Sequence, residues 1–200
     1  LALAGLWISK VAPSLIFSPF IGALVDRVDR KKGMIISDIV RGLLVSLLPL
    51  ASIFGGLILV YIIIFFSEMF TLFFVPAKDA SIPNLVKKEQ LIEANSLSFT
   101  VNQVTMLLGL GVGTTIILLV NRVIMVIPFL RGLTGTFTAI YVDAFTFFLS
   151  AAILGFMHLP KKKREKHEYP SIIEEVKDTF RFIVANPKIK SIIISAGFSV

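Results

Sequence analysis

The sequence predicts an all-α fold: a polytopic bundle of helices that cross a lipid bilayer. Three observations carry this expectation. Hydrophobic residues make up 56% of the 200 and charged residues 16%, where soluble domains hold about 25% charged. The mean hydropathy is +0.87, more apolar surface than a chain in water could hide without associating. The apolar residues also fall in runs close to the roughly 20 that a spanning helix needs at about 1.5 Å per residue.

The first span covers 1–25, with Lys10 as its one charge. Pro13 and Pro19 lie inside it, where neighbouring helices can satisfy the freed carbonyls. The apolar region 33–75 is too long for one crossing, and Gly55-Gly56 divides it into spans at 34–54 and 57–75. Pro76 is expected to end the third span. A polar connection through Pro83 leads to a fourth span at 94–121, which carries no charge. The stretch 122–136, with Arg122, Pro128 and Arg131, reads as an interfacial or partly buried loop. A fifth span at 137–159 ends at Pro160.

After Pro160 the composition changes to the solvated run Lys161-Lys162-Lys163-Arg164-Glu165-Lys166. Ser171 and Glu174 fit a capping box, in which each side chain satisfies the other's exposed backbone N–H. Ile172, Ile173, Val176, Phe180, Ile183 and Val184 then recur at helical spacing, with acids and bases on the other face. This predicts an amphipathic helix lying along the membrane or the bundle, closed by Pro187. A further span begins in 189–200. The sequence opens on Leu1 with no basic leader, so a signal peptide is a poor reading. Both ends look cut, and the chain is expected to be part of a longer one.

The net charge of +7 flanks the spans, so orientation in a membrane explains it better than nucleic-acid binding. The successive connections hold four Lys/Arg (Arg27, Arg30, Lys31, Lys32), none, three (Lys78, Lys87, Lys88), two (Arg122, Arg131) and eight (161–188). That alternation puts 26–32, 77–93 and 160–188 in the cytoplasm of a cell-membrane protein. It also asks for one helix before Leu1. No cysteine is present, which excludes disulfides, thiol nucleophiles and Cys zinc sites. His158 and His167 flank the Lys161 run and suit solvent, not metal. No catalytic constellation or phosphate-cradling Gly loop stands out. The sequence therefore implies no enzyme, no cofactor and no metal.

Gly22-Ala23-Leu24-Val25-Asp26-Arg27-Val28-Asp29-Arg30-Lys31 resembles the signature between the second and third helices of the major facilitator superfamily, Gly-x-Leu-x-Asp-Arg-x-Gly-Arg-Arg/Lys. Asp29 replaces the second Gly, as is common in the macrolide-efflux and enterobactin-exporter branch. Ile36 to Arg41 resembles that branch's third helix. Pro76-Ala77 to Ile82-Pro83, Glu89-Gln90-Leu91 and Ala94 to Leu97 resemble its connection into helix five, and Val142 to Phe147 its helix six. The resemblance implies the N-terminal half of the fold: helices two to six in 1–159, the central loop with its amphipathic helix in 160–188, and the start of helix seven in 189–200. Gly109-Leu110-Gly111-Val112-Gly113 keeps the glycines of the fifth helix but lacks its usual Gly-Pro, a form associated with antiport. Transport is thus better supported than its direction.

Asp26 lies at the negative end of a helix dipole and needs a partner. The resemblance supplies one, a helix N-terminus in the other half of the fold. It makes Gly22, Asp26, Arg27, Arg30 and Lys31 a gating loop; without it they read as a positive-inside anchor. Gly22, and the Gly109/Gly113 small-xxx-small pair, are expected where another helix packs closely. Charges inside a bilayer cost about 2.5–3.5 kcal/mol each on insertion scales. Five occur: Lys10, Asp38, Arg41, Glu68 and Asp143. Arg41 and Glu68 lie roughly 14 and 12 Å from the cytoplasmic ends of their helices and could pair. Asp38, one turn from Arg41, competes, and the family pattern offers Arg30 with the acid of helix four. Lys10 and Asp143, both roughly 24–26 Å deep, could pair, or Lys10 could snorkel outward.

The implied function is secondary transport by alternating access, with proton-coupled efflux of a small amphipathic compound, macrolide-like or siderophore. Glu68 is the first candidate for proton coupling, its alternative being a structural ion pair. Asn102 and Gln103, with Lys10, are cavity candidates. The expected partners are the bilayer, the small molecule and protons, in a monomeric full-length protein. A non-transporting sensor or assembly subunit and an ABC-type permease are the competing readings.

Overall fold

A computed structural model describes residues 2–126, 135–158 and 171–186. Among these residues the structure is helical, with no strand. Among the described residues three stretches are long and apolar enough to cross a membrane: Ala2–Arg27, Arg30–Asn84 and Thr136–Phe156. The second is 55 residues long and doubles back at Gly56, so it is long enough for two crossings.

Helix α1 (Ala2–Arg27) runs unbroken through Pro13 and Pro19. Helix α2 (Arg30–Leu50) begins where the Asp29 carboxylate accepts the Lys32 backbone N–H at 3.2 Å, an N-cap that satisfies one of the helix's orphan donors. A π-helical turn, Ala51–Gly55, follows. Gly56, at φ +64°, then reverses the chain. That is the left-handed region glycine enters at little cost, so the Gly55-Gly56 break is a true turn.

Helix α3 (Gly56–Ser81) passes straight through Pro76, where a helix end was expected. Proline frees the carbonyl one turn back, but packing holds the helix beyond it. Ala77 is fully buried in a core cluster with Val25, Met34 and Phe73. The Ser81 hydroxyl also donates to the Ala77 carbonyl at 2.7 Å. Two 3₁₀ turns, Ile82–Asn84 and Lys88–Gln90, lead to α4 (Leu91–Val126). At 36 residues, α4 overruns the expected 94–121 at both ends. Helix α5 covers Gly135–Phe156 and α6 Ile172–Ala185. Glu174 accepts the Ser171 backbone N–H at 3.0 Å, one arm of the anticipated capping box. The Lys161 run, His167, Pro187 and the span in 189–200 lie outside the described residues.

The helices do not pack in chain order. Helix α3 lies between α1 and α2, α2 between α3 and α5, and α4 touches α5 at the edge. The amphipathic α6 rests on α1. Close approach is set by glycines that sequence reading passed over. A Cβ on Gly33 would overlap the ring of Phe73, and one on Gly42 would stand 2.9 Å from Phe148. At Gly5 it would meet Tyr61 at 2.6 Å, whose hydroxyl donates to the Ala2 carbonyl. By contrast, a Cβ on Gly22, Gly109 or Gly113 meets open space. The close packing expected at those three is not made among the described residues: Gly22 points away from the helices that pack on α1, and α4 has close contact with α5 alone among the described α-helices.

Candidate gate and intramembrane charge cluster

Two polar sites lie in this apolar bundle. The first is at the 26–31 end of α1 and α2. The Arg30 guanidinium donates to Asp26 Oδ1 at 3.2 Å and to the Ala80 carbonyl at 2.6 Å. It thereby ties the start of α2 to the end of α3, not to Glu68. Lys31 Nζ donates to the Gly155 and Met157 carbonyls, each at 2.8 Å. These are orphan carbonyls at the end of α5, where a cation also suits the helix dipole. Asp26 is mostly exposed, its side chain 55% accessible. One short loop thus fastens the ends of four helices. Asp29 stands where the family signature has Gly, and its φ of −68° needs no glycine; its carboxylate caps α2 instead.

Beside this loop a groove of about 680 Å³ opens between α1, α2 and α3. Its walls include Phe17, Phe20, Phe70 and Phe73, and Arg27 and Lys32 lie at its polar end. Ile172, the first residue of α6, also lines it.

The second site is a charge cluster centred on Arg41. Arg41 Nη1 donates to Asp38 Oδ1 at 3.4 Å, one turn back on α2. Asp38 is 1% exposed. Glu68 of α3 and Asp143 of α5 also act on the guanidinium through space. Aromatic rings hold it from both neighbouring helices, with Phe147 centred 4.2 Å away and Phe74 5.7 Å away. Both lie within the range of cation–π attraction. Ser150 of α5 stands beside Asp38. Even so, Asp38 Oδ2 and Arg41 Nε are buried without a hydrogen-bond partner among the described residues.

The expected charges therefore sort unevenly. Asp38 wins Arg41, and Glu68 stays in its field without a direct ion pair. Asp143 lies in the field of Arg41, not of Lys10, because α3 and α2 separate α1 from α5. Lys10 is exposed and makes no ion pair among the described residues. Asn102 and Gln103 are exposed on α4. Sequence reading missed Phe74, Phe147 and Ser150. Asp143, Phe147 and Ser150 share one helical stripe at i, i+4 and i+7, so that part of the signal was present.

A helical bundle with a basic-acidic loop at one end and a charge cluster between its apolar helices has the form of a multi-pass membrane protein. The family model described as Major Facilitator Superfamily matches residues 2–200, and the chain belongs to that superfamily. It is 24% identical to the MFS-type transporter YkuC of Bacillus subtilis (strain 168), over 94% of this chain and 44% of the relative. It is 26% identical to the MFS-type transporter YfiS of the same organism, over 96% of this chain and 42% of the relative. Over 46% of its length it is 36% identical to Macrolide efflux protein A of Enterococcus faecalis, covering 29% of that protein. The chain thus spans less than half the length of these relatives. No solved structure matches it.

Proposed function

We propose that this chain is the first half of a secondary transporter. In this reading it exports a small amphipathic compound, of macrolide or siderophore type, across the cell membrane by alternating access coupled to protons. The observation that carries the reading is the intramembrane charge cluster in which the buried Asp38 and half-buried Arg41 lie close to the half-buried Glu68 and the exposed Asp143 on the facing helices. Intramembrane charges on facing helices are costly and characteristically serve ion or substrate pathways. The Asp26–Lys31 loop is the cytoplasmic gate: Arg30 and Lys31 tie four helix ends together, and Asp26, paired with Arg30, lies at that same end. The connections 26–32, 77–93 and 160–188 face the cytoplasm, and the full-length protein works as a monomer. Glu68 is the coupling carboxylate of α3.

The test is macrolide accumulation in cells expressing the full-length protein. A proton ionophore is expected to raise accumulation to the level of cells without the transporter. Glu68→Gln is expected to do the same with normal membrane abundance. Ionophore-insensitive efflux, or normal proton-linked efflux by the variant, would end the respective part of the reading.

A further inference from the structure

We propose that Asp38 and Arg41 form a proton-operated switch, in which a proton taken up by Asp38 hands the Arg41 guanidinium over to Glu68 and Asp143. The proposal deepens the proton-coupled reading above and rests on it for its role in transport. It has four supports.

First, Asp38 is 1% exposed, yet Arg41 holds it through a single contact of 3.4 Å. Charge-assisted pairs normally close to about 2.7–2.9 Å. Oδ2 makes no hydrogen bond among the described residues, and the Ser150 side chain of α5 is the polar neighbour beside the carboxyl group. A buried ionised carboxylate with an empty oxygen is expensive; a hydrogen on Oδ2 removes that penalty.

Second, Arg41 is under-used. A guanidinium carries five N–H donors, and the Arg41 Nε is buried with no acceptor among the described residues. The Asp38 contact alone does not fix it.

Third, the surroundings hold alternative partners and, among the described residues, no rival cation. Arg41 touches Asp38 on its own helix and lies in the field of half-buried Glu68 on α3 and exposed Asp143 on α5. The other charges of α2 and α3 sit at the 26–31 end. Arg30 and Lys31 are bound to Asp26, Ala80, Gly155 and Met157. Lys32 is exposed at the groove, and Lys78 pairs with Asp79 at 3.3 Å. Asp143 is the one charge on α5. Lys10, on α1, is exposed and packs with none of them.

Fourth, Phe74 and Phe147 confine the guanidinium between α3 and α5, so it can change acid without leaving the aromatic sandwich.

The step balances simply. A hydronium ion breaks one O–H bond and leaves as water, and its proton forms an O–H bond at Asp38 Oδ2. The Nη1–H···Oδ1 contact loses its charge assistance and opens. Arg41 stays cationic and takes Glu68 or Asp143, drawing α3 and α5 against α2. Loss of the proton reverses the exchange.

The experiment is pH-titrated infrared difference spectroscopy of the full-length protein in lipid nanodiscs, with no substrate added. A titrating protonated-carboxyl band is expected in the wild type, in Glu68→Gln and in Asp143→Asn. Its Asp38 component is expected to vanish in Asp38→Asn, while any Glu68 component remains. In Asp38→Glu, which keeps the charge should Asp38→Asn fail to fold, the band returns at a displaced frequency. Glu68→Gln and Asp143→Asn are each expected to move the midpoint by about one pH unit, tenfold in proton affinity. A band indifferent to Asp38, or lost in Glu68→Gln instead, overturns the switch. Midpoints unmoved in both acid variants overturn the hand-over. An Asp38-dependent band alongside ionophore-insensitive efflux sinks the transport reading and leaves the switch. Ionophore-sensitive efflux with no Asp38-dependent band does the opposite.

Discussion

The Lys31 ammonium caps the end of α5 by donating to the Gly155 carbonyl at 2.8 Å, across 124 residues of chain. A cation on the final carbonyls of a helix contributes about 0.3–1 kcal/mol. Lys31→Met, which keeps the apolar stem, is expected to lower the thermal midpoint of the purified protein by about 2–4 °C per kcal/mol lost. Lys31→Arg is expected to retain most of it. Equal losses from both variants would mean that the stem, not the charge, holds α5.

Asp29 offers a cleaner separation of cap from motif. Asp29→Ala removes the side chain that accepts the Lys32 N–H and is expected to cost about 1 kcal/mol. Asp29→Gly restores the residue of the family signature and is expected to cost a few tenths of a kcal/mol, about what glycine costs at an N-cap. Denaturant titration in micelles reads the difference. An Ala variant as stable as wild type would remove the capping role.

Glycines differ by what stands opposite them. Gly33→Ala drives a methyl into the buried Phe73 ring of the core cluster and is expected to destabilise by about 1–3 kcal/mol, as overpacking does. Gly22→Ala meets open space and is expected to leave stability unchanged. Any transport defect in Gly22→Ala then comes from contacts outside these helices. A Gly33→Ala protein with wild-type unfolding would show that Phe73 yields freely.

Removing Arg41 alone strands the Asp38 carboxylate. Arg41→Leu is expected to cost about 3–5 kcal/mol, the penalty for breaking a buried pair. The double variant Arg41→Leu/Asp38→Leu is expected to recover more than half of that. A double-mutant cycle of unfolding free energies measures it, and strict additivity would mean that the two residues do not interact energetically.

Sequence periodicity and charge placement located the helices, because bilayer thickness fixes span length and the turn residues are strong local signals. Gly56 and Asp29 behave as local rules require. Pro76 does not, because burial of Ala77 overrides a local helix-breaking tendency that sequence reading had taken at face value. The charge cluster was half legible. Depth along each helix brought Arg41 near Glu68 and Asp38, but depth says nothing about which helices are neighbours. The order α1, α3, α2, α5 is a tertiary fact, and it is what gives Asp143 to Arg41 instead of Lys10. The tie from Lys31 to α5 was invisible for the same reason: its acceptors are backbone carbonyls, which leave no mark on the sequence.

The reversal at Gly56 joins two long apolar arms through a turn that holds no ionised group. Such a hairpin can enter lipid tip first, since nothing at its leading end has to shed tightly held water. Its topology is then decided wholly at its feet, where Arg30, Lys31 and Lys32 at one and Lys78 at the other refuse to follow. Planting a single lysine at the tip would set the two ends in competition and put the direction of insertion itself in play.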